Sequence, residues 1–103
     1  MDNEIISSAL DLACCCQNIH RLDTGKRVLK ALLGAGNTQY DKDNILEIER
    51  LSYKYVADAY EYQRLLELLE YLNLEAVVGK FISLGFKSSN EEIVEVARQF
   101  IIG

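Results

Sequence analysis

Residues 43–72 read DNILEIERLSYKYVADAYEYQRLLELLEYL, and the spacing of their apolar side chains decides the fold class. Steps of three or four residues connect, in order, Ile48, Leu51, Tyr55, Ala59, Tyr62, Leu66 and Leu69. This spacing places the seven side chains along one side of an α-helix and predicts that they are buried. We expect a single long helix over residues 43–72. The capping-box spacing of Asp58 and Glu61 marks the one position at which that helix could break.

The segments on either side show the same helical spacing, and the chain contains no proline. The predicted helices cover about residues 3–22, 25–33, 74–84 and 90–101. Ser89 and Glu92 have the spacing of a capping box at the start of the last helix. We therefore expect an all-α fold, a compact bundle or a short array of five to six helices, in a single domain of residues 1–103.

Two short segments are expected to end helices in the first third of the chain. Asp23-Thr24-Gly25 is predicted to break the first helix and to cap the second. The glycine pair in Gly34-Ala35-Gly36-Asn37 is predicted to end the second helix.

The charge of the chain is negative, with a net value of −5, and it is unevenly distributed. Residues 37–103 hold twelve acidic and seven basic side chains, so the whole excess lies there. Such a field repels phosphate backbones and anionic membranes and attracts basic proteins. Because the start of the sequence is acidic, we expect no secretory leader, and no apolar run in the sequence reaches membrane-spanning length. We expect a cytoplasmic protein with a basic protein partner, and neither a nucleic acid nor a membrane as ligand.

Three adjacent cysteines, Cys14, Cys15 and Cys16, precede the only histidine, His20. Neighbouring side chains on a helix point about 100° apart, so the three thiols cannot converge on one ion. Only Cys16 and His20 would share a helical face, whereas a structural zinc site requires four ligands. The cysteines are therefore expected to belong to the core. We expect no metal, no cofactor and no catalytic site.

The tyrosines provide the strongest indication of function, because all six lie between residues 40 and 71. On a continuous helix, Tyr53, Tyr60 and Tyr71 fall opposite the buried side, among arginine and carboxylate side chains. Tyrosine and arginine among carboxylates are typical of protein-binding surfaces. The predicted partner-binding residues are Asp41, Asp43, Glu49, Tyr53, Tyr60, Glu61, Arg64, Glu67 and Tyr71. The alternative is that neighbouring helices surround this one and bury tyrosines on both sides.

The stretch YKYVADAYEYQRLLELLEY, residues 53–71, in a small, acidic, all-helical chain resembles the small all-α immunity proteins of bacterial toxin–immunity systems. The resemblance implies a non-catalytic inhibitor whose acidic, tyrosine-rich face occludes a basic, nuclease-like toxin. Two alternatives stay open. One is a homo-oligomeric helical adaptor that uses the same tyrosine stripe as its own interface. The other is a small helical transcriptional regulator, suggested by the helix-turn-helix arrangement over residues 77–101.

Overall fold

The computed structural model describes residues 3–15, 17–33 and 38–102, and in this part of the chain it contains six α-helices and no strand. The helices are α1 (Asn3–Cys14), α2 (Ile19–Leu32), α3 (Thr38–Ser52), α4 (Ala59–Tyr71), α5 (Glu75–Phe86) and α6 (Glu91–Ile102). A 3₁₀ turn, Tyr53–Tyr55, follows α3. The predicted all-α fold of five to six helices is confirmed. Across the described ranges, no helix is long and apolar enough to cross a bilayer.

Helix α4 lies at the centre of the fold and contacts α1, α5 and α6. Its inner side is fully buried and consists of Tyr62, Leu65, Leu66, Leu68 and Leu69. Helix α1 packs on α2, α3 and α4, so the N-terminal and C-terminal halves share one core. Burial of these large side chains supplies most of the hydrophobic stabilisation, because that term scales with the apolar area removed from water.

The apolar side chains predicted to be buried over residues 48–69 lie in or against the core. The prediction of one unbroken helix over residues 43–72 is wrong, however. Helix α3 ends at Ser52, and the backbone is extended at Asp58 before α4 begins. The Asp58 Oδ1 accepts a hydrogen bond from the backbone N–H of Glu61 at 3.0 Å. The break therefore lies where the capping-box spacing marked it, and Asp58 satisfies a donor that the first turn of α4 leaves unpaired.

The turn between α3 and α4 is held against α1. The Tyr55 hydroxyl donates a hydrogen bond to the Asp11 carboxylate, and the Lys54 Nζ lies 3.3 Å from Asp11 Oδ1. Burial and then this hydrogen bond raise the pKa of Tyr55, so the hydroxyl stays protonated and donating. At the end of α3, the buried Ser52 hydroxyl donates to the Ile48 carbonyl oxygen at 2.6 Å, a bond to the preceding helical turn that often bends a helix. The contacts of Tyr55 and Lys54 with Asp11 hold the chain in the turn that follows α3.

The prediction of one helix over residues 3–22 is also wrong. Helix α1 ends at Cys14, and α2 begins at Ile19. Asn18 caps α2, because its Oδ1 accepts hydrogen bonds from two backbone N–H groups of the first turn. An asparagine cap stabilises a helix start by satisfying donors that have no partner within the helix. Helices α1 and α2 pack against each other and form a helical hairpin.

Asp23-Thr24-Gly25, predicted to separate two helices, lies inside α2. Gly25 is buried where α2 packs on α1, and a Cβ atom there would lie 2.6 Å from the Ala9 carbonyl oxygen. This glycine permits close packing of two helices and does not form a turn. The predicted helix end at residues 34–37 lies outside the described residues.

The start of α6 differs from the prediction as well. The cap is Asn90, whose Oδ1 accepts a hydrogen bond from the Glu92 backbone N–H at 2.9 Å. The predicted capping box of Ser89 and Glu92 is therefore wrong by one residue. Either side chain type can fill this role, and local sequence does not distinguish between adjacent candidates.

Gly85 allows α5 to pack closely against α4. The Tyr62 hydroxyl donates a hydrogen bond to the Phe81 carbonyl oxygen at 2.7 Å in the interior. A Cβ atom at Gly85 would overlap the Tyr62 ring and would lie 2.9 Å from the Ala97 Cβ atom of α6. By contrast, a Cβ atom at Gly79, also in α5, would meet nothing within 4 Å.

These two glycines give opposite predictions for the same substitution. We expect Gly85→Ala to lower the free energy of unfolding by about 1–3 kcal/mol, because the methyl group overpacks the core at Tyr62. We expect Gly79→Ala to raise it by about 0.5–1 kcal/mol, because alanine restricts the unfolded chain and favours a helix. Urea denaturation followed by circular dichroism measures both. Equal effects of the two substitutions would contradict the described packing of α4 on α5.

Candidate protein-binding surface

The outer face of α4, opposite its buried side, carries Tyr60, Arg64, Glu67 and Tyr71 at steps of four, three and four residues. Tyr60 is 39% exposed and Tyr71 is 40% exposed. Tyr53, before the break, is 43% exposed. The alternative in which this stretch buries tyrosines on both sides is therefore excluded for these three residues.

The outer face of α4 is held by contacts between its own side chains. The Arg64 guanidinium lies over the Tyr60 ring, 5.1 Å from its centroid, and its Nη1 donates to Glu67 Oε1 at 3.0 Å. Gln63 Nε2 donates to Glu67 Oε2 at 3.3 Å. The hydrogen bond with Tyr60, followed by the pair with Glu67, raises the pKa of Arg64. Glu67 thus orients both Arg64 and Gln63, and Arg64 covers part of Tyr60.

A groove of about 380 Å³ lies between α4 and α6. Its lining comes from Ala59, Tyr60 and Gln63 of α4 and from Glu92, Glu95, Val96 and Gln99 of α6. Ala59 and Val96 supply the apolar part of this lining. We refer to it below as the α4–α6 groove. Of the residues that line this groove, only Tyr60 was predicted to bind a partner. The wall opposite Tyr60 belongs to α6, about thirty residues further along the chain.

The α4–α6 groove lies in the most acidic part of the described structure. Asp58 with α4 and α6 together carry seven carboxylates and only two arginines. Both arginines are paired within their own helix, Arg64 with Glu67 and Arg98 with Glu95, each at 3.0 Å. Glu92 makes no ion pair with any other residue that the structure describes. A cation that enters the groove therefore meets an uncompensated carboxylate.

The opposite end of the outer face of α4 is basic. The Nζ atoms of Lys26 and Lys30 in α2 lie over the Tyr71 ring, 5.6 and 5.1 Å from its centroid. Lys30 Nζ also donates to the Tyr71 carbonyl oxygen at 3.2 Å, where α4 ends. A lysine at this position satisfies a carbonyl group without a helical partner and interacts favourably with the helix dipole. The outer face therefore runs from acidic at Tyr60 to basic at Tyr71.

Two of the predicted binding residues, Glu49 and Tyr53, contact α5 and do not lie on the outer face of α4. The Tyr53 ring packs on the Phe81 ring, with the centroids 4.9 Å apart. The Glu49 carboxylate pairs with the Lys80 ammonium group, and this pair raises the pKa of Lys80. Glu49 and Tyr53 thus form a separate surface from the outer face of α4, because the chain changes direction at the break.

The other predicted residues are dispersed. Asp43 is exposed on α3, and the side chain of Asp41 lies outside the described residues. Glu61 lies close to Cys15, just after the end of α1, and its carboxylate contributes to the raised pKa of that thiol. The nine predicted residues therefore do not form one continuous stripe, although each described one is at least partly exposed. Their role in binding a partner stays a prediction.

The cysteines have two different environments in the structure. Cys14 is fully buried in the core, and this burial raises the pKa of its thiol. Cys15 is exposed as a residue, but partial burial of its sulfur and then a hydrogen bond with Glu61 raise its pKa to about 11. Cys16 lies outside the described residues. The expectation that Cys16 and His20 share one helical face involves Cys16 and therefore also lies outside the described residues.

Within residues 3–15, 17–33 and 38–102, no group of three or more His, Cys, Asp or Glu side chains is arranged to hold a metal ion. The prediction of no metal and no cofactor stays a prediction.

Comparison with models of known protein families, with curated protein sequences and with solved structures found no match to this chain. The surface is therefore interpreted from its own chemistry. Exposed tyrosine beside a groove that combines apolar and carboxylate side chains is typical of protein–protein interfaces.

The environment of Cys15 predicts a slow reaction with alkylating agents. A pKa of about 11 leaves little thiolate at pH 8, so we expect iodoacetamide to modify Cys15 about ten- to hundredfold more slowly in the folded than in the unfolded chain. Glu61→Gln should raise this rate severalfold, because it removes a charge that opposes ionisation. Peptide mapping by tandem mass spectrometry assigns the modified cysteine. Glu67→Gln is the matched control, and an equal effect of both variants would contradict the Glu61–Cys15 contact.

Proposed function

We propose that this chain is a non-catalytic protein-binding module, and specifically an immunity-type inhibitor that occludes a basic, nuclease-like toxin. The observation that carries the proposal is the exposed Tyr60, held in place by Arg64 at the edge of the acidic α4–α6 groove. A large aromatic side chain with few rotatable bonds gains much contact area on binding at a small entropic cost. The surrounding carboxylates favour a basic partner.

Inhibition by occlusion needs no chemistry from the inhibitor. A nuclease must bind a phosphate backbone, and its substrate-binding surface is therefore rich in basic side chains. An acidic surface that covers such a site competes directly with the nucleic acid. Complementary charge speeds the encounter of the two proteins, and aromatic anchors slow their dissociation. The acidic α4–α6 groove and Tyr60 would serve these two roles.

A homodimer is a second candidate, and the charge pattern of α4 favours it. The outer face is acidic near Tyr60 and basic near Tyr71, where Lys26 and Lys30 lie. Two copies packed with their α4 helices antiparallel would place the acidic end of each against the basic end of the other. Such a two-fold interface is self-complementary. Light scattering on the purified chain distinguishes a dimer from a monomer that awaits another protein.

The proposed function predicts loss of binding from a double substitution at the groove. Tagged wild-type chain, used as bait in a lysate of its native host, should retain a basic protein, and Tyr60→Ala with Glu92→Lys should lose it. The variant removes the aromatic anchor and reverses the charge that attracts the partner. The retained protein is then purified and assayed for nuclease activity with and without one equivalent of this chain. We expect at least tenfold inhibition by the wild-type chain.

The matched control is Tyr53→Ala with Asp43→Lys, which also replaces one tyrosine and one carboxylate, both outside the α4–α6 groove. This control should keep the partner, and thermal melting should show that both variants remain folded. Equal loss of binding in both variants would contradict the assignment of the surface. A retained protein whose activity is unchanged by this chain would contradict the inhibitor function, and a stable dimer of the chain alone would favour the second candidate.

A further inference from the structure

We propose that the α4–α6 groove receives an arginine side chain of the basic partner. The inference rests on the proposed function and names the residue type that anchors the partner. The apolar side chains of Ala59 and Val96 suit the methylene stem of a long basic side chain, which commonly packs along apolar surface. The open groove, about 380 Å³ in volume, is near the lower end of the range for ligand pockets.

Charge complementarity defines the end of that side chain as cationic. Two carboxylates line the groove, and Glu95 is already paired with Arg98 at 3.0 Å. Glu92 has no such pair among the described residues, so its charge is available to a partner. The groove contains no basic side chain in its lining. A cationic side chain of another protein would therefore provide the positive charge with which Glu92 can form an ion pair.

The polar groups of the two walls favour a guanidinium over an ammonium group. Gln63 uses its Nε2 to donate to Glu67, which leaves its Oε1 as an acceptor on the α4 wall. Glu92 presents carboxylate oxygens on the α6 wall. A guanidinium has five donors in a planar fork and stacks on aromatic rings, whereas an ammonium group is a compact, strongly hydrated charge. Arginine thus bonds both walls and contacts the part of the Tyr60 ring that Arg64 leaves uncovered.

Arg64 and Glu67 act as positioning residues for this anchor. Neither side chain lines the groove, but Glu67 holds Gln63, and Arg64 holds the Tyr60 ring. Their contacts fix the two α4 side chains before binding and so reduce the entropy lost on association. The pairing of Arg64 with Glu67 also compensates the positive charge nearest to the groove.

The test uses short peptides and the ¹⁵N-labelled full chain. Acetylated and amidated tetra-arginine, tetra-lysine and tetra-citrulline are titrated while amide chemical shifts are recorded. We expect tetra-arginine to shift the groove residues saturably and to bind at least about threefold more tightly than tetra-lysine. Tetra-citrulline, which has the same shape without the charge, should not saturate. Binding of tetra-lysine as tight as that of tetra-arginine would overturn the assignment of arginine.

Glu92→Gln and Glu91→Gln form a matched pair, because they remove the same charge from adjacent residues. Glu91 lines a different hollow on α6, with Val94, Glu95 and Arg98. We expect Glu92→Gln to weaken tetra-arginine binding about three- to fivefold and Glu91→Gln to weaken it less than about twofold. Equal effects, or shifts spread over every acidic surface, would show general charge attraction and overturn the proposal. Tyr60→Ala should reduce the preference for arginine over lysine.

Failure of this inference and failure of the proposed function have different signatures. If the chain inhibits a basic protein but Glu92→Gln leaves that complex as tight as before, the groove does not hold the anchor, although the proposed function stands. If tetra-arginine occupies the groove but does not displace the captured protein, the groove binds arginine and the toxin is bound elsewhere.

Discussion

The packing of Tyr62 against α5 is the constraint on which the proposed binding surface depends. Its ring occupies the space left by Gly85, and its hydroxyl donates to the Phe81 carbonyl oxygen inside the core. Burial raises the pKa of this hydroxyl to about 12, so it stays a donor throughout the physiological range. The contact fixes both the distance of α4 from α5 and its rotation about its own axis. Helical periodicity then places Tyr60 and Arg64 on the side that the core does not use.

The buried side of residues 48–69 was predictable, because apolar spacing indicates which side chains are buried whether the helix is continuous or broken. The interruption between Ser52 and Ala59 was not predictable, since the apolar steps of three and four residues continue across it. Asp58 has the sequence of a cap, but a capping residue in mid-helix is common enough to leave either outcome open. What decides the break is Tyr55 bonding to Asp11, 44 residues away, and no local pattern reveals that contact.

Gly25 and the α4–α6 groove are two features that depend on helix packing and that local sequence therefore does not predict. A glycine next to aspartate and threonine is typical of a turn, yet this one lies where α2 packs on α1, and only the packed pair of helices distinguishes the two cases. Likewise, Glu92 and Gln99 gain a possible role only because α6 lies beside α4. The sequence identified Tyr60 as an outward-facing aromatic residue. The opposite wall of its groove depends on tertiary structure, which periodicity within one helix does not predict.

The internal pairing of Arg64 explains how an arginine on the proposed binding surface is compatible with the basic partner that we propose. An uncompensated guanidinium beside Tyr60 would repel a second cation, and the repulsion would be strongest once the interface excluded water. Glu67, 3.0 Å away, offsets that charge and at the same time holds Gln63. Partly exposed pairs of this kind add little to folding stability. The main consequence of the network is therefore geometric, because it presents an ordered aromatic ring and an amide oxygen while the net charge around the groove stays negative.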